Sequence, residues 1–167
     1  LFVGDMDLAR RTVARAKELR IRSQIAIDGK QHAELERTTP FHYVAFNLDA
    51  MENIARYGEQ VGDDVWKFNE KKRGLRNGIN FMAQYAAKPE TWPYKELREM
   101  ETELALPVLL KAERAYPGAG YAKIAAQLPE RRLEAQEYIA LYSAIRQPFP
   151  TTRNSIDLLI WPVIDKQ

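Results

Sequence analysis

The chain has 167 residues, 46% of them hydrophobic, which is enough to bury one sizeable core but cramped for two full domains. Its 25 basic and 23 acidic residues leave a net charge of +2, a mixed surface rather than the concentrated basic face of a nucleic-acid binder. The lack of cysteine excludes disulfides, thiolate metal sites and a cysteine nucleophile, and no apolar run approaches the roughly 18 to 20 residues of a membrane helix.

The first periodic segment sets Leu8, Ala9, Thr12, Val13, Ala16 and Leu19 along one side of a 3.6-residue winding, opposite Arg10, Arg11, Lys17 and Glu18. Asp7 is its expected N-cap. From Arg22 to Phe41 the period is lost and turn residues collect at Asp28-Gly29 and Thr38-Thr39-Pro40, which predicts a long loop. A second helix then places Leu48, Met51, Ile54, Ala55, Gly58 and Val61 on a buried face, with Asp49, Glu52, Arg56, Glu59 and Gln60 on the other and Gly62 as the stop. The third carries Leu75, Gly78, Ile79, Met82, Tyr85 and Ala86 and ends before Pro89.

After the Trp92-Pro93-Tyr94 corner, Leu97, Met100 and Leu104 lead to Pro107, where a helix kinks or restarts toward Ala115. Two short helices are expected at Tyr121 to Leu128 and Glu130 to Tyr142, parted by Pro129, before an irregular tail anchored by Leu158 to Val163. No stretch alternates as a strand does. The fold class is therefore all-α, about six helices joined by turns, and periodicity alone does not separate a solenoid from a toroid or a bundle.

Chemistry concentrates in the loop and the helix start that follows it. Lys30, Gln31, His32, Glu34, Arg37, His42 and Tyr43 fall within sixteen residues. Read by themselves they are surface charges and polar groups beside buried aromatics. Trp66, Trp92, Tyr94 and Trp161 are expected as inter-helix core rather than sugar-stacking faces. Lys71, Lys72, Arg73 and Arg76 read as a solvated face at a helix start.

The blocks RIRSQIAIDGKQ, ELERTTPFHYVAFNLDAM, VGDDVWKF, LRNGINFMAQYAAKPETWPY and LLIWP occur in the order found in the alginate lyases with an α/α-toroid fold, and nearly the whole chain resembles that family. The resemblance implies that residues 1–167 are the C-terminal portion of one helical domain, a partial toroid whose N-terminal half precedes this chain. It implies a bacterial enzyme of the periplasm or the cell exterior that cleaves a uronate-containing polysaccharide, alginate above all, by β-elimination. By position, Arg37 and Tyr43 correspond to the family's active-centre Arg and Tyr, with His42 beside them as a further catalytic candidate, and Lys30, Gln31 and Glu34 are candidates for lining the sugar groove. The Arg-to-Tyr interval is one residue shorter than in the best-known relatives, and the family's Asn-His pair has no counterpart in this chain.

These residue types suit the reaction. A uronate's C5 proton is acidic only once the adjoining carboxylate is neutralised, and arginine pairs with a carboxylate through a planar, permanently charged fork. Tyrosine then serves as base toward C5 and acid toward the leaving O4, with Arg37, Lys30 or a protonated histidine steadying the phenolate. No cofactor or metal is expected, because His32 and His42 lack the i, i+4 spacing of a helical metal site. The other expectation consistent with the residues is a catalytically silent helical module that binds carbohydrate or serves structure.

Overall fold

In a computed structural model that describes residues 4–129, six α-helices occur among those residues and strand is confined to one small hairpin. Helix α1 spans Met6–Ala16 and runs into one π-helical turn, Lys17–Arg22. Its N-cap is Asp5, whose carboxylate accepts from the Leu8 amide at 2.8 Å, not Asp7 as the sequence suggested; Asp7 lies in the first turn, paired with Arg10. Of the expected apolar stripe Val13 is buried, while Leu8 and Leu19 remain about half exposed, since α1 meets the rest of the described fold chiefly through α3.

The expected loop contains one turn of helix, α2 at His32–Leu35, nucleated by Leu35 sinking into the core. The long central helix α3 runs Pro40–Val61, with proline in the first turn and Gly62 in the left-handed region as its stop. At 22 residues it is about 33 Å long. Phe41, Val44, Leu48, Met51 and Ala55 form its buried stripe. Helix α4, Leu75–Ala87, packs across it at Gly78, where an added Cβ would stand 2.8 Å from Leu48 Cδ2; the missing side chain sets how closely the two helices approach.

A hairpin, β1 at Asn69–Glu70 and β2 at Arg73–Gly74, precedes α4. Lys71 and Lys72 form its turn at φ 50° and 62°, so the basic cluster begins in a hairpin rather than on the helix. Beyond the Trp92 corner, a 3-10 turn at Thr102–Ala105 leads into α5, Leu106–Ala115, with Pro107 in its first turn; the proline restarts the helix. Helix α6 is short, Tyr121–Ala125. The expected helix from Glu130, the tail anchor and Trp161 lie outside the described residues.

The charged face of α3, expected to be solvated, is covered in its middle while Glu59 stays exposed. Glu52 and Arg56 are buried, because α5 packs there and inserts the equally buried Lys111. Lys111 pairs with Asp49, and its ammonium stands 3.9 Å from a Glu52 oxygen. Burial raises the Glu52 carboxyl well above the ordinary carboxylate range, with Lys111 opposing.

Candidate functional site

The site is built around the start of α3, and a segment distant in sequence fixes that start. Thr39, in the N-cap position, makes no side-chain cap bond. Instead Glu96 reaches across: its Oε1 accepts from the Phe41 amide at 2.8 Å and from the Trp92 indole N–H at 2.9 Å. An anion is favoured at a helix N-terminus, where free amides and the helix dipole converge. The Leu97 amide adds a bond to the Thr38 carbonyl at 2.8 Å. Trp92 is core, as expected, packed edge-on to Phe41 and Tyr85 with Phe81 and Tyr94 around it.

On this clamped end, Arg37 and Tyr43 meet. The guanidinium carbon of Arg37 lies 4.1 Å from the centroid of the Tyr43 ring. Arg37 is exposed and Tyr43 half-buried. No ion pair joins Arg37 to a carboxylate among the described residues, and its exposed side chain sets the cation over a π face. His42 stands edge-on to Tyr43, centroids 5.3 Å apart, and lies parallel to the exposed Phe46 ring. The Nδ1 atom of His42 is buried with no hydrogen-bond partner among the described residues.

The other three candidates lie on the preceding loop. Lys30 is held by Asp28 at 2.9 Å, and the Asp28 hydrogen bond raises its pKa, so the ammonium stays charged. Gly29, at φ +86°, lets this loop press on α4: a Cβ would fall 2.2 Å from the Asn77 carbonyl oxygen. Gln31 is buried and its amide is committed internally, accepting from Asn47 at 2.7 Å and donating to the Val44 carbonyl at 3.5 Å. Gln31 and Glu34 share the wall of a cavity of about 340 Å³ with Gln24, His32, Asn47 and Arg73. Arg37, His42 and Tyr43 therefore cluster at the helix start, while Gln31 and Glu34 line a hollow on the neighbouring loop.

A family model described as alginate lyase matches residues 1–92, more than half of the chain. The chain belongs to the alginate lyase family. A solved structure described as an alginate lyase from Bacteroides ovatus superposes with a TM-score of 0.72 at 34% sequence identity, over 83% of this chain and 37% of that one. The chain thus spans about a third of its relative's length. No curated protein matches it. The alginate lyase assignment brings with it the all-α, α/α-toroid architecture, of which these helices are a part.

Within this member of the family, sequence reasoning missed Glu96 and Phe46. Glu96 lies fifty-five residues from the amide it holds, and nothing in local spacing marks that bond. Phe46 falls on the polar side of α3, an exposed ring out of phase with the buried stripe; that phase was the available signal. A second cavity, about 800 Å³, lies toward the other end of α3 beside Trp66, Arg76, Lys111 and Tyr116. Arg76 there lies over the Tyr116 ring at 5.0 Å. No described helix is long and apolar enough to cross a membrane, and no described acidic, histidine or cysteine cluster has metal-site geometry.

Proposed function

We propose that this chain carries part of the active centre of a polysaccharide lyase that cleaves a uronate polymer by β-elimination, with alginate as the favoured substrate. The observation that carries the reading is the contact between the exposed Arg37 guanidinium and the Tyr43 ring at the start of α3. The substrate name comes from family membership and from the description of the Bacteroides ovatus relative.

In this mechanism the uronate carboxylate pairs with the open edge of Arg37. That pairing stabilises the charge that develops when the C5–H bond breaks, a contribution of several kcal/mol where donors are preorganised. Tyr43, acting as a phenolate with the Arg37 cation against its ring, takes the C5 proton and becomes a phenol; the C5–H electron pair forms the C4=C5 double bond, and the C4–O bond breaks. The same phenol then returns a proton to the departing O4, so base and acid are one group on one face of the sugar. His42, whose ring stands edge-on to Tyr43, helps to hold that ring in place. Lys30 adds positive charge on the neighbouring loop, where Gln31 and Glu34 line a hollow that takes a further part of the polymer. No cofactor takes part. The remaining groups of the site come from the rest of the same toroidal domain, of which residues 1–167 form the C-terminal part, and the enzyme acts in the periplasm or outside the cell.

The test mixes full-length protein with alginate, hyaluronan and pectate and follows the ultraviolet absorbance of the unsaturated product. A rise with at least one polymer, highest with alginate, is expected. No rise with any of them replaces the lyase with a silent helical module.

A further inference from the structure

We propose that Phe46 is a sugar-stacking platform that receives the uronate ring next to the one held by Arg37. This inference rests on the lyase reading above and assigns a substrate contact that family membership does not supply.

Five large apolar side chains in the described region are exposed by half or more, and Phe46, at 68%, is the one ring among them. It does not dangle. Its ring lies parallel to the His42 imidazole, 10° between planes and 6.4 Å between centroids, and His42 in turn abuts Tyr43. The imidazole backs the ring on one side, which lowers the cost of ordering it on binding.

Its position is the second argument. Three residues separate Phe46 from Tyr43, a rise of about 4.5 Å along α3, comparable to the length of one pyranose ring. A polymer whose carboxylate is paired with Arg37 and whose C5 faces Tyr43 lays its neighbouring ring over Phe46. Pyranose rings offer a face of C–H bonds with hydroxyls around the rim, and a phenyl face covers the former while leaving the latter in water.

A protein helix is a poorer occupant of the same place. A docking seam needs apolar residues at i, i+3, i+4 and i+7. Around Phe46 those positions hold His42, Tyr43, Asp49, Ala50 and Asn53, and the Asn53 amide donates to Asp49. An exposed phenyl ring flanked by His42, Asp49 and Asn53 fits a ligand that is itself polar at the rim and apolar on one face.

The experiment compares Phe46→Ala, Phe46→Trp and Phe46→Leu in the full-length protein, reading steady-state kinetics and retardation in native gels containing alginate, hyaluronan or pectate. Phe46→Ala should raise KM about ten-fold with kcat changed less than about three-fold, and lose most of its retardation by the polymer that retards wild type. Phe46→Trp should restore both, and Phe46→Leu, apolar but not flat, should not. Unchanged KM and retardation in Phe46→Ala overturn the platform, as does full recovery by Phe46→Leu, which marks simple packing. Wild-type protein that cleaves none of the polymers, but whose retardation depends on Phe46, removes the lyase reading and leaves the platform; cleavage that ignores Phe46 does the reverse. If wild type neither cleaves nor is retarded, both fall.

Discussion

Helix α3 and the turn that leads into it carry charge at two places, and they are handled in opposite ways. Midway, Lys111 enters from α5 to pair with Asp49 beside the buried Glu52, and its charge is met within the fold. At the N-terminal end Arg37 faces a phenol ring instead of a carboxylate, and its charge is left for something outside the described residues. The contrast teaches that a cation is functional by virtue of what it is not already paired with. A buried network holds helices in register; an exposed, aromatic-backed cation is an offer to a ligand.

The sharpest way to break the comparison is at its exposed end. Tyr43→Phe should lower kcat by about a thousand-fold while polymer retardation is retained, because only the ionisable hydroxyl is lost. Near-normal turnover would remove Tyr43 from the mechanism. Arg37→Lys should lower kcat/KM by about a hundred-fold, since a point charge does not reproduce the planar two-toothed contact; full activity in that variant would mean that only net charge is needed there.

At the buried end the expected effect is on folding. Lys111→Met should cost about 3 kcal/mol, measured by urea denaturation, the low end for a broken buried pair because Asp49 is partly solvated. A double change, Lys111→Met with Glu52→Met, should recover part of that loss. Glu96→Ala should cost about 1 kcal/mol in a thermal melt, as other lost helix caps do, and lower kcat more than it changes KM by loosening the frame of Arg37 and Tyr43.

The smallest effect is a dependence on pH. Burial raises Glu52, so the folded protein keeps a proton that the unfolded chain releases. That contribution to stability is complete below the unfolded value and fades as pH rises toward the folded one. Relative to wild type, Glu52→Gln should therefore gain in urea midpoint as pH is raised from about 4 toward neutrality; a constant difference would place Glu52 outside the titration.

Much of the fold was legible residue by residue. The apolar stripe from Leu48 to Val61, the Gly62 stop, the helix Leu75–Ala87 before Pro89 and the restart at Pro107 follow from local rules, since a backbone needs caps, stops and a phase for its apolar side chains. Three readings went astray where local rules were overridden. Asp5 rather than Asp7 caps α1, because the helix begins two residues earlier. Lys71 and Lys72 turn a hairpin too short to leave an alternating pattern. Glu52 and Arg56 are polar by type and buried by circumstance, since α5 covers the face they occupy.

The candidate site divides along the same line. Its residue types, and their crowding between Lys30 and Tyr43, were set by the sequence, because loop chemistry and the position of a helix start are short-range properties. Whether the Arg37 cation would be neutralised by a neighbour, whether Gln31 would face solvent or Asn47, and which distant carboxylate would clamp the start of α3 were decided only by tertiary structure. The physical reason is that pairing and burial depend on which surfaces pack together, and no local spacing in the chain records that Glu96 returns to Phe41 or that Lys111 enters the far side of α3.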